Sequence, residues 1–87
     1  MADSSLLPIL LDVLSPESSI LHQNVICVEF PGTLGRFEVL RNHAPLISSL
    51  ERGEIRYMVD EGKWESLPIS SGFVEICDNK ITACVEL

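Results

Sequence analysis

Apolar and polar residues alternate with a period of two over much of this chain. In Val25–Phe30 positions 26, 28 and 30 are all apolar. In Glu54–Val59 so are Ile55, Tyr57 and Val59, and two of the three alternates, Glu54 and Arg56, are charged. In Lys80–Leu87 all odd positions are apolar. A repeat of two places successive side chains on opposite faces, the mark of a strand with one side buried. No window of about twelve residues carries a 3.6 repeat, so no long helix is expected. The most apolar run, Leu6–Leu14 (LLPILLDVL), reads as a buried strand, with Pro8 near its start, where a missing N–H costs little.

Turn residues punctuate these runs: Pro31-Gly32, Gly35, Asn42, Pro45, Gly53, Gly62, Gly72 and Asp78-Asn79. Asp60-Glu61-Gly62-Lys63 is expected to join Ile55–Val59 to Trp64–Ile69, and Asp78-Asn79 to join Phe73–Cys77 to Lys80–Leu87. Both connections hold residues that tolerate the positive φ of tight hairpins. Many short strands in a chain this small predict an all-β fold, a two-sheet antiparallel β-sandwich of about ten strands. The expected core is Val13, Val28, Phe30, Val39, Leu46, Ile55, Ile69, Phe73, Ile76, Ile81 and Val85. The Asp78-Asn79 hairpin pairs Cys77 with Lys80 and Phe73 with Cys84. Its two cysteines are then about 13 Å apart along the strands, too far for a disulfide.

Composition narrows the function. With 87 residues there is room for one domain, expected over residues 9–87 behind an N-terminal tail of residues 1–8. Six Lys and Arg against thirteen Asp and Glu give a net charge of −7. That argues against a non-specific nucleic-acid binder and against electrostatic docking on anionic lipid. The run Leu6–Leu14 is shorter than the about 20 residues of a membrane span, and the acidic start does not suit a signal peptide. The odd cysteine set, Cys27, Cys77 and Cys84, reads as reduced, functionally silent thiols. With no Cys-x-x-Cys and only His22 and His43 as imidazoles, no metal site is expected. There is no Gly-rich loop followed by Lys-Ser/Thr, and no carboxylate pair stands out among the dispersed acids. No catalytic residue, cofactor or small-molecule substrate is therefore expected.

Two segments stay open. Arg41-Asn42-His43-Ala44-Pro45-Leu46 lies between strands, and Asn42 suits a left-handed backbone. His43 there is either a satisfied loop histidine or an interface contact. Pro31-Gly32-Thr33-Leu34-Gly35-Arg36-Phe37 joins two strands with Leu34 at its tip, which is either an incidental exposed leucine or a contact on a partner.

Five blocks, in order and with little or no gap, resemble the N-terminal β-sandwich domain of the epsilon subunit of the rotary proton-translocating ATP synthase. They are Leu11-Asp12-Val13-Leu14-Ser15-Pro16-Glu17, Pro31-Gly32-Thr33-Leu34-Gly35, His43-Ala44-Pro45-Leu46, Gly53-Glu54-Ile55-Arg56 and Ser71-Gly72-Phe73-Val74-Glu75-Ile76. Asn42 departs from the family's glycine before the histidine. Glu38 and Ser71 stand where glycine is frequent, and Arg36 where many members carry an acid. The chain ends at Leu87, so the family's C-terminal helical pair, which restrains ATP hydrolysis in many members, is expected to be absent.

The resemblance implies a non-catalytic rotor subunit in the central stalk, linking the gamma subunit to the c-ring and coupling proton translocation to ATP synthesis. It implies gamma contacts at Ser15, His43, Ala44, Pro45 and Ser48. It implies c-ring contacts at Gly32, Thr33, Leu34, Gly35 and Arg36, with Arg36 bonding carbonyls or an acidic partner. The implied place is peripheral, on the cytoplasmic face of a bacterial inner membrane, without insertion. The alternative is a stand-alone β-sandwich adaptor for a protein or peptide.

Overall fold

Period-two alternation becomes strand, with one break. The computed structural model describes residues 8–87 and forms nine strands: β1 (Ile9–Leu14), β2 (Ser19–Val25), β3 (Cys27–Gly32), β4 (Gly35–Val39), β5 (Leu46–Leu50), β6 (Gly53–Asp60), β7 (Lys63–Ile69), β8 (Ser71–Cys77) and β9 (Lys80–Glu86). Among the described residues there is no helix. Of the expected tail only Pro8 is described; Leu6 and Leu7 of the first apolar run also lie outside the described residues.

The hydrogen-bonded path runs β2-β1-β9-β8-β5-β3-β6-β7, with β4 on the other side of β3. It divides at β5–β3, where one pair, Gly32 with Leu50, is the whole ladder. On one side lies the layer β2-β1-β9-β8-β5, on the other β4-β3-β6-β7. Two further bonds close this corner, Thr33 N–H to Ser49 C=O at 3.1 Å and Glu51 N–H to Pro31 C=O at 2.9 Å. The chain also crosses between layers at Ile26, whose N–H bonds Met58 C=O at 2.8 Å. The expected two sheets are thus halves of one sheet curled into a sandwich. Its strands number nine, and one ladder, β1 on β9, is parallel rather than antiparallel.

Both inner sides meet in one apolar core that includes Leu11, Val13, Phe30, Ile55, Val74, Ile76 and Ile81. The Phe30 ring lies 5.6 Å from that of Phe37, tilted by 32°. Burying each large side chain is worth about 1.5–3 kcal/mol. Nine of the eleven expected core residues are buried; Leu46 and Phe73 are not. Leu46 is half-buried because β5 meets β3 only at Leu50, which leaves its first residues at an edge. Phe73 is 53% exposed and points away from the core. In β8 the inward series is Gly72, Val74 and Ile76. A glycine opens that series because a Cβ at position 72 would stand 2.5 Å from Cys84 C=O. Ile26 is likewise 44% exposed, since the crossing between layers interrupts the alternation at that residue.

Turn chemistry follows the residues. Glu61-Gly62 closes β6–β7 with Gly62 at φ 75°, and Asp78-Asn79 closes β8–β9 at φ 52° and 61°. The β8–β9 register pairs Cys77 with Lys80 and Phe73 with Cys84, and all three thiols are free.

Candidate functional site

The outer side of the five-stranded layer can be read from its registers. One row runs Ser49–Phe73–Cys84–Leu14, and the next Ile47–Glu75–Thr82–Asp12–His22. A third holds Cys77, Lys80, Leu10 and Asn24. Phe73 at 53% and Ile47 at 73% exposure are diagonal neighbours on adjacent strands, and Leu14 and Cys84 continue the apolar strip half-buried. A shallow groove beside the strip is lined by Leu14, Ser15, Pro16, Phe73 and Cys84 among others. A second, at the β5 side, includes Pro45, Ile47, Glu75 and Cys77. Polar groups surround the strip: Glu75, Asp12 and Glu86 against Lys80, with His22 Nδ1 3.5 Å from Asp12.

The residues expected at a gamma contact do not all lie on this face. Ser15 and Pro45 line its two grooves. The Ser15 hydroxyl is also engaged in its own turn, donating to Ser18 C=O at 3.2 Å and accepting from the Ser18 N–H at 3.2 Å. His43 and Ala44 stand on the loop leading into β5. His43 is half-buried, its ring Nδ1 donating to Ala44 C=O at 2.7 Å and its N–H to Leu40 C=O at 3.2 Å. Asn42 has φ 65°, as its sequence position suggested. Ser48 pairs across from buried Val74, so its side chain is on the opposite side of the layer from Ile47. Phe73 and Ile47 were missed from sequence. The available signal was Gly72, an inward position without a side chain.

The second candidate is the β3–β4 hairpin. Gly32 pairs with Gly35, Thr33-Leu34 form the turn, and Leu34 is fully exposed at 103%. The two glycines answer different demands. Gly35 sits at φ 131°, while a Cβ on Gly32 would meet Gly35 C=O at 2.7 Å and the Phe37 ring at 2.9 Å. Thr33 is tied to β5 by its N–H and by its hydroxyl, 2.9 Å from that of Ser49. Arg36 lies back on its own layer: Nε donates to Glu29 at 3.3 Å and Nη2 to Glu54 C=O at 2.8 Å. Both kinds of acceptor expected for Arg36 are supplied within the chain. Glu29 also meets Arg56 at 3.5 Å, and that guanidinium stacks 5.0 Å over Trp64.

Among the described residues the titratable groups show no convergent arrangement. Burial, then Glu38 and Glu29, push the Cys27 thiol up, and Asp78 beside it pushes exposed Cys77 up. Burial and then Glu65, 3.4 Å from its hydroxyl, raise Tyr57. Among the described residues no three of His, Cys, Asp and Glu are grouped to hold a metal ion. No helix among them is long and apolar enough to cross a membrane.

Residues 9–86 match the family model of the ATP synthase delta/epsilon chain β-sandwich domain. The chain belongs to this family. The epsilon chain of Desulfitobacterium hafniense is 51% identical over 72 residues, 83% of this chain and 54% of that one. The epsilon chain of a Nitratiruptor species is 42% identical over 76 residues, 87% and 59% of the two chains. This chain therefore spans little more than half the length of these curated epsilon relatives. Among solved structures, a chain of the Euglena gracilis mitochondrial ATP synthase, in an OSCP/F1/c-ring assembly, superposes with a TM-score of 0.83 at 22% identity. The match covers 90% of this chain and 50% of that one. A chain from the central stalk and c-ring of the Tetrahymena thermophila enzyme gives 0.75 at 11% identity, covering 90% and 63%. At such identities these likenesses establish the epsilon-type fold. Phe73 belongs to the family block Ser71–Ile76, and its ring is presented on the surface and does not serve the core.

Proposed function

We propose that this chain is an epsilon-type rotor subunit of an ATP synthase central stalk. The outer face of its five-stranded layer binds the gamma subunit, and the tip of its β3–β4 hairpin rests on the c-ring. The observation that carries the reading is the apolar strip: Phe73 and Ile47 are exposed on a domain whose core is complete without them. Exposed aromatic and aliphatic side chains in one patch, rimmed by charge, mark a protein interface. Family membership and the bacterial epsilon relatives support the gamma subunit as that partner.

The task on this reading is mechanical. A sandwich close-packed between two layers resists bending, so it can hold shaft and ring in step while proton translocation drives ATP synthesis. The subunit contributes no catalytic group, cofactor or substrate site. It sits peripherally, on the cytoplasmic face of a bacterial inner membrane, bound through its partners. Ser15, His43, Ala44 and Pro45 border the gamma contact. Ser48 supports it from the inner side of β5, and Gly32–Arg36 form the ring contact with Leu34 foremost. The test is co-purification: the chain should retain gamma, and the gamma complex should retain the c-ring. A chain that is folded yet retains neither belongs to the stand-alone adaptor class instead.

A further inference from the structure

Between the end of β4 at Val39 and the start of β5 at Leu46, six residues run without a ladder. This is the segment that carries His43, Ala44 and Pro45. Its local bonds are few: the His43 N–H to Leu40 C=O, and the His43 ring to Ala44 C=O. Its firmest tie reaches 37 positions along the chain. The Asn42 N–H donates to Asn79 Oδ1 at 2.6 Å, and Asn79 Nδ2 donates to Asn42 Oδ1 at 3.0 Å. Asn79 is itself held, because its C=O accepts the Leu10 N–H at 3.0 Å. The loop is thus joined to the β8–β9 turn, and the turn to β1.

We propose that Asn79 is a positioning residue for the gamma contact. From the far end of β8 it fixes, through Asn42, the His43–Pro45 segment at the border of the docking face. This rests on that face being the gamma-binding one. The chemistry asks for a carboxamide at position 79. It offers one acceptor and one donor from a single rigid plane, and Asn42 presents the matching donor and acceptor. An aspartate would keep the acceptor and lose the donor; a glycine would lose both. Asn also tolerates the positive φ of both positions, 65° at Asn42 and 61° at Asn79, so one residue type meets the backbone and side-chain demands together. Because the face lies on rigid strands, the loop is the part of its border that needs a separate fixing.

The test uses the full 87-residue chain and the gamma subunit of the same synthase. Asn79→Gly, Asn42→Gly, the double variant and Asn79→Asp are compared with wild type. Affinity is read at a temperature where every variant is folded, with the thermal midpoint measured alongside. Glycine fits both backbones, so the turns persist. Asn79→Gly should weaken gamma binding about 3- to 10-fold, the worth of a hydrogen-bonded pair. Asn42→Gly should weaken it less, because its backbone N–H keeps Asn79 Oδ1, and Asn79→Asp should resemble it. The double variant should bind no worse than Asn79→Gly, since both remove one interaction. Midpoints that shift while affinities stay at the wild-type value would overturn the proposal, as would additive losses in the double variant. Wild type that fails to bind gamma would instead overturn the reading of the face, and this inference with it.

Discussion

The outer face of the five-stranded layer and the tip of the β3–β4 hairpin both expose apolar side chains, but in different settings. On the face, Phe73 and Ile47 sit on adjacent laddered strands, and half-buried Leu14 and Cys84 extend them into a strip with grooves at either side. At the tip a single leucine stands alone, and the polar side chains around it are turned inward: Thr33 to Ser49, Arg36 to Glu29 and Glu54. A face of this kind can bury a broad partner surface around one aromatic anchor. A tip of this kind can make a point contact and little more. On the proposed function, the difference teaches that the two partners need not be gripped equally: the chain would be bolted to one and braced against the other.

The largest effect should come from Phe73→Asp. Phe73 faces solvent, so the domain should keep its thermal midpoint while gamma affinity falls by about 30-fold or more, as for an interface hot spot. Titration calorimetry against gamma checks this, and wild-type affinity would remove the face from the comparison. Leu34→Asp should cost less, about tenfold in c-ring retention, because one leucine of burial is at stake. Its gamma affinity should not change, and reconstituted membranes should show proton flow partly uncoupled from ATP turnover. Arg36→Ala should be smaller again. Its partners are intramolecular and exposed, so a loss of about 0–1 kcal/mol in stability is expected, with ring retention intact. The smallest test uses Cys77, which lines the groove at the β5 side. Asp78 raises its pKa, so at a fixed pH near 8 less of it is thiolate, and alkylation is slowed. Asp78→Asn should speed labelling by a few-fold. Bound gamma should slow labelling of Cys77 and leave a thiol introduced by Leu34→Cys accessible.

Local chemistry was readable from sequence, and long-range geometry was not. Asp78-Asn79, Glu61-Gly62 and Asn42 declared their backbone conformations through residue type, and the β8–β9 register followed. The exposed Leu34 was legible as a loop tip for the same reason. Phe73 was misplaced because Gly72 holds an inward position with no side chain, so the pattern lost its phase where the fold most needed it. The exposure of Ile26 breaks the alternation because the chain changes layers there, which no local pattern records. The parallel β1–β9 ladder, the Asn42–Asn79 clasp and the inward bonds of Arg36 join residues far apart in sequence, and each side chain alone had several possible partners. The resemblance supplied the neighbourhood of the face through Ser15 and Pro45. It did not supply the strip at its centre.

Ser49 occupies an unusual post. It stands opposite Phe73 in the β5–β8 ladder, and its hydroxyl and carbonyl are the partners of Thr33 at the corner. Ser49 therefore links the tip to the face, beside the Gly32–Leu50 pair. A sideways load on Leu34 enters β5 as shear across the Thr33–Ser49 and Gly32–Leu50 bonds, and passes through the next ladder to the strand that carries Phe73. Hydrogen bonds loaded together in shear yield as a group, whereas bonds peeled from one end yield one at a time. On the proposed function, a load arriving at the hairpin would thus reach the apolar strip through bonded strands and not through a free loop.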